Sequence, residues 1–115
     1  MYQPIYPNQS AAPSVYLNQK RTLMLVSYNG NTIQVSLRKP CNVRPDKMVS
    51  DITDNPQTTR NGTILIRNPH RHNHIVGGYD PQTSTIFIHH RRRRYAVSIP
   101  SDARLLYCGG ESIAI

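Results

Sequence analysis

The clearest pattern in the chain is an alternation of apolar and polar residues on either side of an Asn-Gly pair. Ile33, Val35 and Leu37 alternate with polar residues, which predicts a strand with one face on a core and one face in water. The preceding run, residues 22–28, is a strand candidate whose residues 23–26 are apolar on both faces, which predicts a strand in the middle of a sheet or under a covering layer. Because a type I′ turn needs positive φ at both central positions, Asn29-Gly30 predicts a tight hairpin between the two strands.

Short apolar runs recur along the rest of the chain, and nine prolines and six glycines leave little room for long helices between them. Residues 47–52 are compatible with a short strand or a single helical turn. The polar, His-rich segment 68–79 predicts a loop that ends in a turn at Gly77-Gly78. Further strands are predicted at residues 63–67, 83–90, 95–99, 104–108 and 112–115. The chain is therefore predicted to be all-β, a small antiparallel β-sandwich or barrel of about seven short strands with an extended N-terminal arm.

The chain of 115 residues has the length of one domain, which we place at residues 21–115. Residues 1–20 are predicted to be an extended arm, because the segment up to residue 18 holds three prolines, three tyrosines and no charged side chain. Tyrosine buries a large area at low entropic cost and keeps a polar group. Tyr2, Tyr6 and Tyr16 are therefore the predicted contacts of this arm with a partner.

Charge changes the functional expectation, because 14 basic residues face six acidic ones and give a net charge of +8. The imbalance concentrates in residues 60–95, which hold seven arginines and all five histidines but only one acid, Asp80. Such a segment favours a polyanion or an acidic protein surface as partner. The alternative is a solvated basic surface that only keeps the protein soluble.

An uninterrupted basic run lies between two apolar strand segments, and its position predicts either a hairpin tip or a long exposed strand pair. Such a tip can lie along nucleic-acid phosphates, dock on an acidic neighbouring subunit, or block unwanted strand pairing at a sheet edge. A run of identical arginines cannot distinguish one base sequence from another, so binding to nucleic acid would be weakly specific. His90 and Tyr95 are candidates to stack on bases. The candidate contact residues are His89, His90, Arg91, Arg92, Arg93, Arg94 and Tyr95, together with Arg67 and Arg71.

A second cluster, His70, His72 and His74, would present three imidazoles on one face if the segment were extended. That arrangement could bind zinc or a similar metal. No acid or cysteine is near in sequence, however, and Arg71 would oppose a cation. We therefore predict a pH-sensitive contact loop, with no bound metal and no other cofactor.

The sequence favours a protein that is not an enzyme, because Glu111 is its only glutamate and its aspartates occur in turn-like contexts. We expect a structural subunit of a large assembly, a virion capsid or cement-type component, whose partners are other protein subunits or copies of itself. The alternative is a stand-alone, weakly sequence-specific nucleic-acid-binding module that uses residues 91–94. A metal protein or enzyme built on the three histidines is a third hypothesis.

The chain begins with no apolar run, and no stretch approaches the roughly 18 apolar residues that span a bilayer. We therefore expect no membrane insertion and no classical signal peptide. The expected location is intracellular or within a virion.

Overall fold

The computed structural model describes residues 12–54, 63–90 and 92–109. The strands in these ranges are β1 (Ser14–Leu17), β2 (Leu23–Tyr28), β3 (Asn31–Leu37), β4 (Val49–Asp51), β5 (Ile64–Asn68), β6 (His74–Asp80), β7 (Thr85–His90), β8 (Arg93–Ser98) and β9 (Ala103–Gly109). They form a four-stranded sheet in the order β1-β2-β3-β9 and a five-stranded sheet in the order β4-β8-β7-β6-β5. All neighbouring strands are antiparallel.

The hairpin predicted around Asn29-Gly30 is confirmed. β2 and β3 pair from Leu23 opposite Ser36 to Tyr28 opposite Asn31, which leaves a two-residue loop. Asn29 and Gly30 have φ values of 52° and 80°, the positive values that a type I′ turn requires. Within the described residues β2 lies between β1 and β3, so its two apolar faces fit the central position predicted for it.

The two sheets share one hydrophobic core, to which each contributes one face. Ile33, Val35 and Leu37 alternate as predicted and are buried against the core residues of the other sheet. The largest apolar side chains that are fully buried come from both sheets: Met24, Val26, Ile33, Val35, Ile86, Ile88 and Val97. In the described part of the chain neither sheet closes into a barrel, so the fold is all-β and sandwich-like.

The described residues hold more strands than the seven predicted, because three segments without a clear alternating pattern also pair. β1 lies in the segment predicted as an arm and pairs with β2, with Val15 opposite Val26. Of the two forms predicted for residues 47–52, the strand is confirmed by β4, and a 3-10 turn at Pro45–Lys47 precedes it. Residues 1–11, with Tyr2 and Tyr6, and the predicted strand 112–115 lie outside the described residues.

β6, which the sequence did not predict as a strand, shows that the loop and the Gly-Gly turn predicted for residues 68–79 are wrong. Only a short reversal follows β5, and Gly77 and Gly78 lie in the middle of β6 between β5 and β7. A Cβ on Gly77 would overlap the backbone carbonyl oxygen of Phe87 in β7. Glycine is therefore required here by close strand approach and not by a turn.

A buried pair of asparagines joins the two sheets at one end of the sandwich. Asn68, at the end of β5, is fully buried, and its Nδ2 donates a hydrogen bond of 2.7 Å to Oδ1 of Asn31 at the start of β3. Oδ1 of Asn68 accepts a second bond, of 2.9 Å, from the backbone N–H of His70. Buried polar groups are costly unless paired, so this pair fixes the alignment of the sheets at this end.

The helical content of the described residues consists of two single 3-10 turns, Pro45–Lys47 and Pro69–Arg71. In these residues no helix has the length and apolar character needed to cross a membrane.

Candidate functional site

The described residues of the basic run, 89–90 and 92–94, lie at the tip of a β-hairpin, one of the two arrangements predicted for the run. β7 and β8 pair antiparallel up to His90 opposite Arg93. Arg92 is exposed at the turn, and Arg91 lies outside the described residues. His89 is exposed near the end of β7 and lies opposite Arg94.

Arg93 is held at the base of this tip by contacts on two sides. Its guanidinium forms an ion pair of 2.6 Å with the carboxylate of Asp51 at the end of β4. Its Nε donates a hydrogen bond of 3.3 Å to the Tyr95 hydroxyl, and its central carbon lies 5.9 Å from the centre of the Tyr95 ring. These contacts, the Tyr95 hydrogen bond first among them, raise the pKa of Arg93 above its usual value.

Thr53 is the main hydrogen-bond partner of Asp51. The hydroxyl and the backbone N–H of Thr53 both donate hydrogen bonds to its carboxylate, and with the nearby charge of Arg93 they lower the pKa of Asp51 below the usual value. The Thr53 hydroxyl also accepts a hydrogen bond of 3.1 Å from the backbone N–H of Arg94. The backbone N–H of Ile52 donates to the carbonyl of Arg94. The residues that follow β4 therefore fix both the side chain of Arg93 and the backbone of Arg94.

Tyr95 does not have the base-stacking role predicted for it. Its side chain is only 3% exposed and belongs to the core, where its ring lies 6.1 Å from the ring of Tyr28. A buried ring cannot stack on a base that arrives from solvent. At this site Tyr95 instead positions the Arg93 guanidinium, because its hydroxyl accepts the hydrogen bond from Arg93 Nε.

The strand register gathers the two basic sequence clusters at one end of the five-stranded sheet. Asn68 lies opposite His74, and His90 lies opposite Arg93; β6 and β7 are also antiparallel. The end of β5, the start of β6, the end of β7 and the start of β8 therefore lie side by side, across about 14 Å. We call this region the basic end; its described members are Arg67, His70, Arg71, His72, His74, His89, His90, Arg92, Arg93 and Arg94.

Arg67 and Arg71 occupy defined positions in the basic end. Arg67 is exposed on β5, and its guanidinium donates a hydrogen bond of 3.1 Å to the carbonyl of Asn73. The Arg71 guanidinium lies beside the β2–β3 turn, 3.4 Å from the position that a Cβ on Gly30 would occupy. Arg71 therefore extends the basic end from the five-stranded sheet to the neighbouring turn of the four-stranded sheet.

The three histidines do not form the shared face on which the metal hypothesis depended. His70 lies in the 3-10 turn Pro69–Arg71, and His72 and Asn73 adopt left-handed backbone conformations with φ near 57° and 58°. The chain therefore reverses within the segment instead of extending, and His74 starts β6. In the described ranges no three His, Cys, Asp or Glu side chains are placed to hold a metal ion.

A groove with a volume of about 840 Å³ lies between β1 and the segment that contains β4. Tyr16, 47% exposed on β1, lines one side of it. The other side is lined by Asp51, by Arg93 and by an exposed ion pair, in which Arg44 Nε lies 3.4 Å from Asp46 Oδ1. The structure thus brings together Tyr16 and Arg93, which the sequence marked as candidates in separate segments.

Sequence reasoning missed the contribution of β4 to this site. The Asp-x-Thr pattern of residues 51–53 indicates a local turn in which the aspartate accepts hydrogen bonds, as it does here. Nothing local indicates that Arg93, 42 residues further along the chain, is the ionic partner of Asp51. That contact depends on the pairing of β4 with β8.

Both cysteines are free and buried, which matters for any nucleophilic role. Desolvation raises the pKa of the Cys108 thiol above its usual value. A reactive cysteine needs the opposite shift, so Cys108 is suited to packing and not to nucleophilic attack.

Comparison with known proteins adds no family assignment. No protein-family model matches this chain, and neither a curated protein nor a solved structure matches it. Function is therefore inferred from the basic end and the groove.

Proposed function

We propose that this chain is a non-enzymatic structural subunit of a larger assembly, of the kind that forms a virion capsid or cements its subunits together. It contacts neighbouring protein subunits, copies of itself among them, through the groove and the Arg-rich hairpin beside it. Its N-terminal segment, which leads into β1, contributes to the same contact.

The observation that carries this proposal is the shared groove of Tyr16 and Arg93. Tyrosine and arginine are the side chains that most often dominate the energy of protein interfaces. β1 and β4, which flank the groove, are the outermost strands of their sheets among the described residues. Such strands can take up an extended segment of a partner by backbone hydrogen bonding. A groove that combines these features suits an extended segment from a neighbouring subunit.

Nucleic-acid binding is the second candidate function, and the basic end favours it. Two arginine- and histidine-rich segments lie side by side there, and each cation near a phosphate releases a counterion on binding. The chain carries a net charge of +8, which would steer it toward any polyanion. A subunit that contacts both protein and packaged nucleic acid would use both surfaces.

The assembly proposal is tested by substitutions in the groove. We expect Tyr16→Ala and Arg93→Gln each to weaken self-association about 30-fold, since truncating a dominant interface residue costs about 2 kcal/mol or more. The association constant is measured by sedimentation velocity over a range of protein concentrations. Circular dichroism of each variant shows whether the fold is retained.

The matched control is Arg38→Gln, which removes the same charge from an exposed arginine just beyond β3. Arg38 does not line the groove, so this variant is expected to associate like the wild type. Equal association constants for all the variants and the wild type would contradict the proposed contact.

A further inference from the structure

The outer face of the five-stranded sheet carries an apolar row with an aromatic ring in it. Ile86 and Ile88 are buried in the core, so Phe87 between them lies on the opposite face. The register places Gly78 on one side of Phe87 and Ala96 on the other. Both cross-strand neighbours are small and Phe87 is partly exposed, whereas Gly78 is buried beside a methyl group of Thr63.

Exposed aliphatic side chains widen this apolar surface. Leu65 lies opposite Gly78 and continues the row on β5, and its side chain is 50% exposed. Ile75, on the same face and opposite Arg67, is 46% exposed. Apolar side chains exposed together in this way mark a contact surface more often than scattered ones do.

Basic side chains flank the row on the side of the basic end. His89 and Arg94 lie opposite each other, two residues and about 7 Å beyond Phe87 and Ala96. Arg67 occupies the corresponding position on β5. The acid that the described strands place on this face is Asp80, which is buried at the far end and accepts a hydrogen bond of 2.9 Å from the backbone N–H of Gln82.

We infer that this face, which we call the outer platform (Leu65, Gly78, Phe87 and Ala96 with Arg67, His89 and Arg94), binds single-stranded nucleic acid. An exposed base stacks on the Phe87 ring, and the phosphates of the same strand lie against the flanking cations. Stacking on aromatic side chains beside a positively charged track is the usual means of binding single strands without sequence preference. Duplex bases are already stacked on each other, so a duplex could use only the charges.

Charge disfavours one protein occupant of the outer platform. A second copy that presented the same face with its strands in the same direction would bring Arg67 and Arg94 of one copy against those of the other, which is repulsive. An acidic protein segment could satisfy the charges and the aliphatic side chains, but it would make no specific use of the aromatic ring. Dependence on the ring therefore separates nucleic acid from an acidic protein.

The inference rests on the second candidate function, nucleic-acid binding, which it makes specific, and it does not depend on the assembly proposal. The outer platform lies on the face of the five-stranded sheet, and the groove lies between β1 and β4. Loss of one activity would leave the other measurable.

The test uses fluorescence anisotropy of a fluorescein-labelled oligothymidylate of about 20 nucleotides, titrated with the full chain over a series of salt concentrations. We expect Phe87→Leu to bind about tenfold more weakly than the wild type, because leucine fills the site but offers no ring for stacking. A plot of the logarithm of the association constant against the logarithm of the salt concentration should have the same slope for Phe87→Leu as for the wild type, because the substitution changes no charge. Phe87→Tyr, which keeps a ring, should restore the affinity.

A substitution that removes a charge tests the phosphate contacts, as Phe87→Leu tests the stacking. Arg94→Gln should reduce the salt slope by about 0.7, the value of one phosphate contact on a single strand, and the matched Arg38→Gln should leave the slope unchanged. The inference is overturned if Phe87→Leu binds as the wild type does, if a duplex of the same length binds as tightly, or if polyglutamate displaces the oligonucleotide with equal efficiency from the wild type and from Phe87→Leu. It is also overturned if the wild type does not bind the oligonucleotide at low salt. None of these outcomes changes the association constants that test the assembly proposal.

Discussion

Gly77→Ala is expected to destabilise the protein by about 2–3 kcal/mol, the cost typical of forcing extra atoms into a closely packed site. The added Cβ would overlap the backbone carbonyl oxygen of Phe87, and a backbone atom cannot move aside as the end of a side chain can. β6 and β7 would have to separate in the middle of the five-stranded sheet, where Gly77 lies opposite Ile88. Urea unfolding followed by circular dichroism measures the change in the free energy of unfolding.

The neighbouring glycine provides a matched control for this experiment. A Cβ on Gly78 would lie 2.9 Å from a methyl group of Thr63, just before β5, and its nearest backbone contact, the Ile64 carbonyl oxygen, would be at an ordinary 3.7 Å. We expect Gly78→Ala to cost no more than about 1 kcal/mol. The close approach of β6 and β7 at Gly77 would be contradicted if both substitutions changed the free energy of unfolding equally, or if Gly77→Ala left it unchanged.

Asn68→Ala is expected to destabilise the protein by about 2–3 kcal/mol, because it breaks the buried hydrogen bonds that join the sheets. It removes the donor to Asn31 Oδ1 and the acceptor for the His70 N–H, and Asn31 is itself buried. A buried polar atom left without its partner loses most of the hydration it had in the unfolded chain. The same urea unfolding measurement gives the change.

Two comparisons isolate the contribution of this asparagine pair. Asn42→Ala, at an exposed position, should change the free energy of unfolding by less than about 0.5 kcal/mol. The double variant Asn31→Ala/Asn68→Ala should cost at least about 1 kcal/mol less than the sum of the single variants, as expected for residues in direct contact. Strict additivity would mean that the two side chains do not interact.

The strands and turns that the sequence predicted are those marked by neighbouring residues, such as a turn pair or an alternation of apolar and polar positions. The hairpin at Asn29-Gly30 depends on two residues that accept positive φ and on alternation in the strand that follows. β6 was missed because its two central glycines resemble a turn, and only the approach of β7 explains their presence in a strand. β1 and β4 are short strands whose pairing depends on neighbours distant in sequence.

The candidate site was predictable in its composition but not in its arrangement. Charge clustering identified the two basic segments, whereas their position at one end of a sheet follows from strand register alone. The alternation of Tyr95 and Val97 contained enough information to predict a buried ring, because Val97 shares its face and lies in the core. The ionic contact of Asp51 with Arg93 requires β4 to lie beside β8, which no local pattern indicates.

The most direct test of the proposed assembly function is the solution mass of the wild-type protein, with its nucleic-acid content, at about 50 mM and about 500 mM salt. Light scattering gives the mass, and the ratio of absorbance at two wavelengths gives the nucleic-acid content. The proposal predicts that any nucleic acid leaves at high salt and that the mass stays above the 13.1 kDa of one chain and rises with protein concentration. A single chain of 13.1 kDa at high salt, at every concentration, would contradict the assembly function, and if nucleic acid had been bound at low salt it would favour a stand-alone nucleic-acid-binding module.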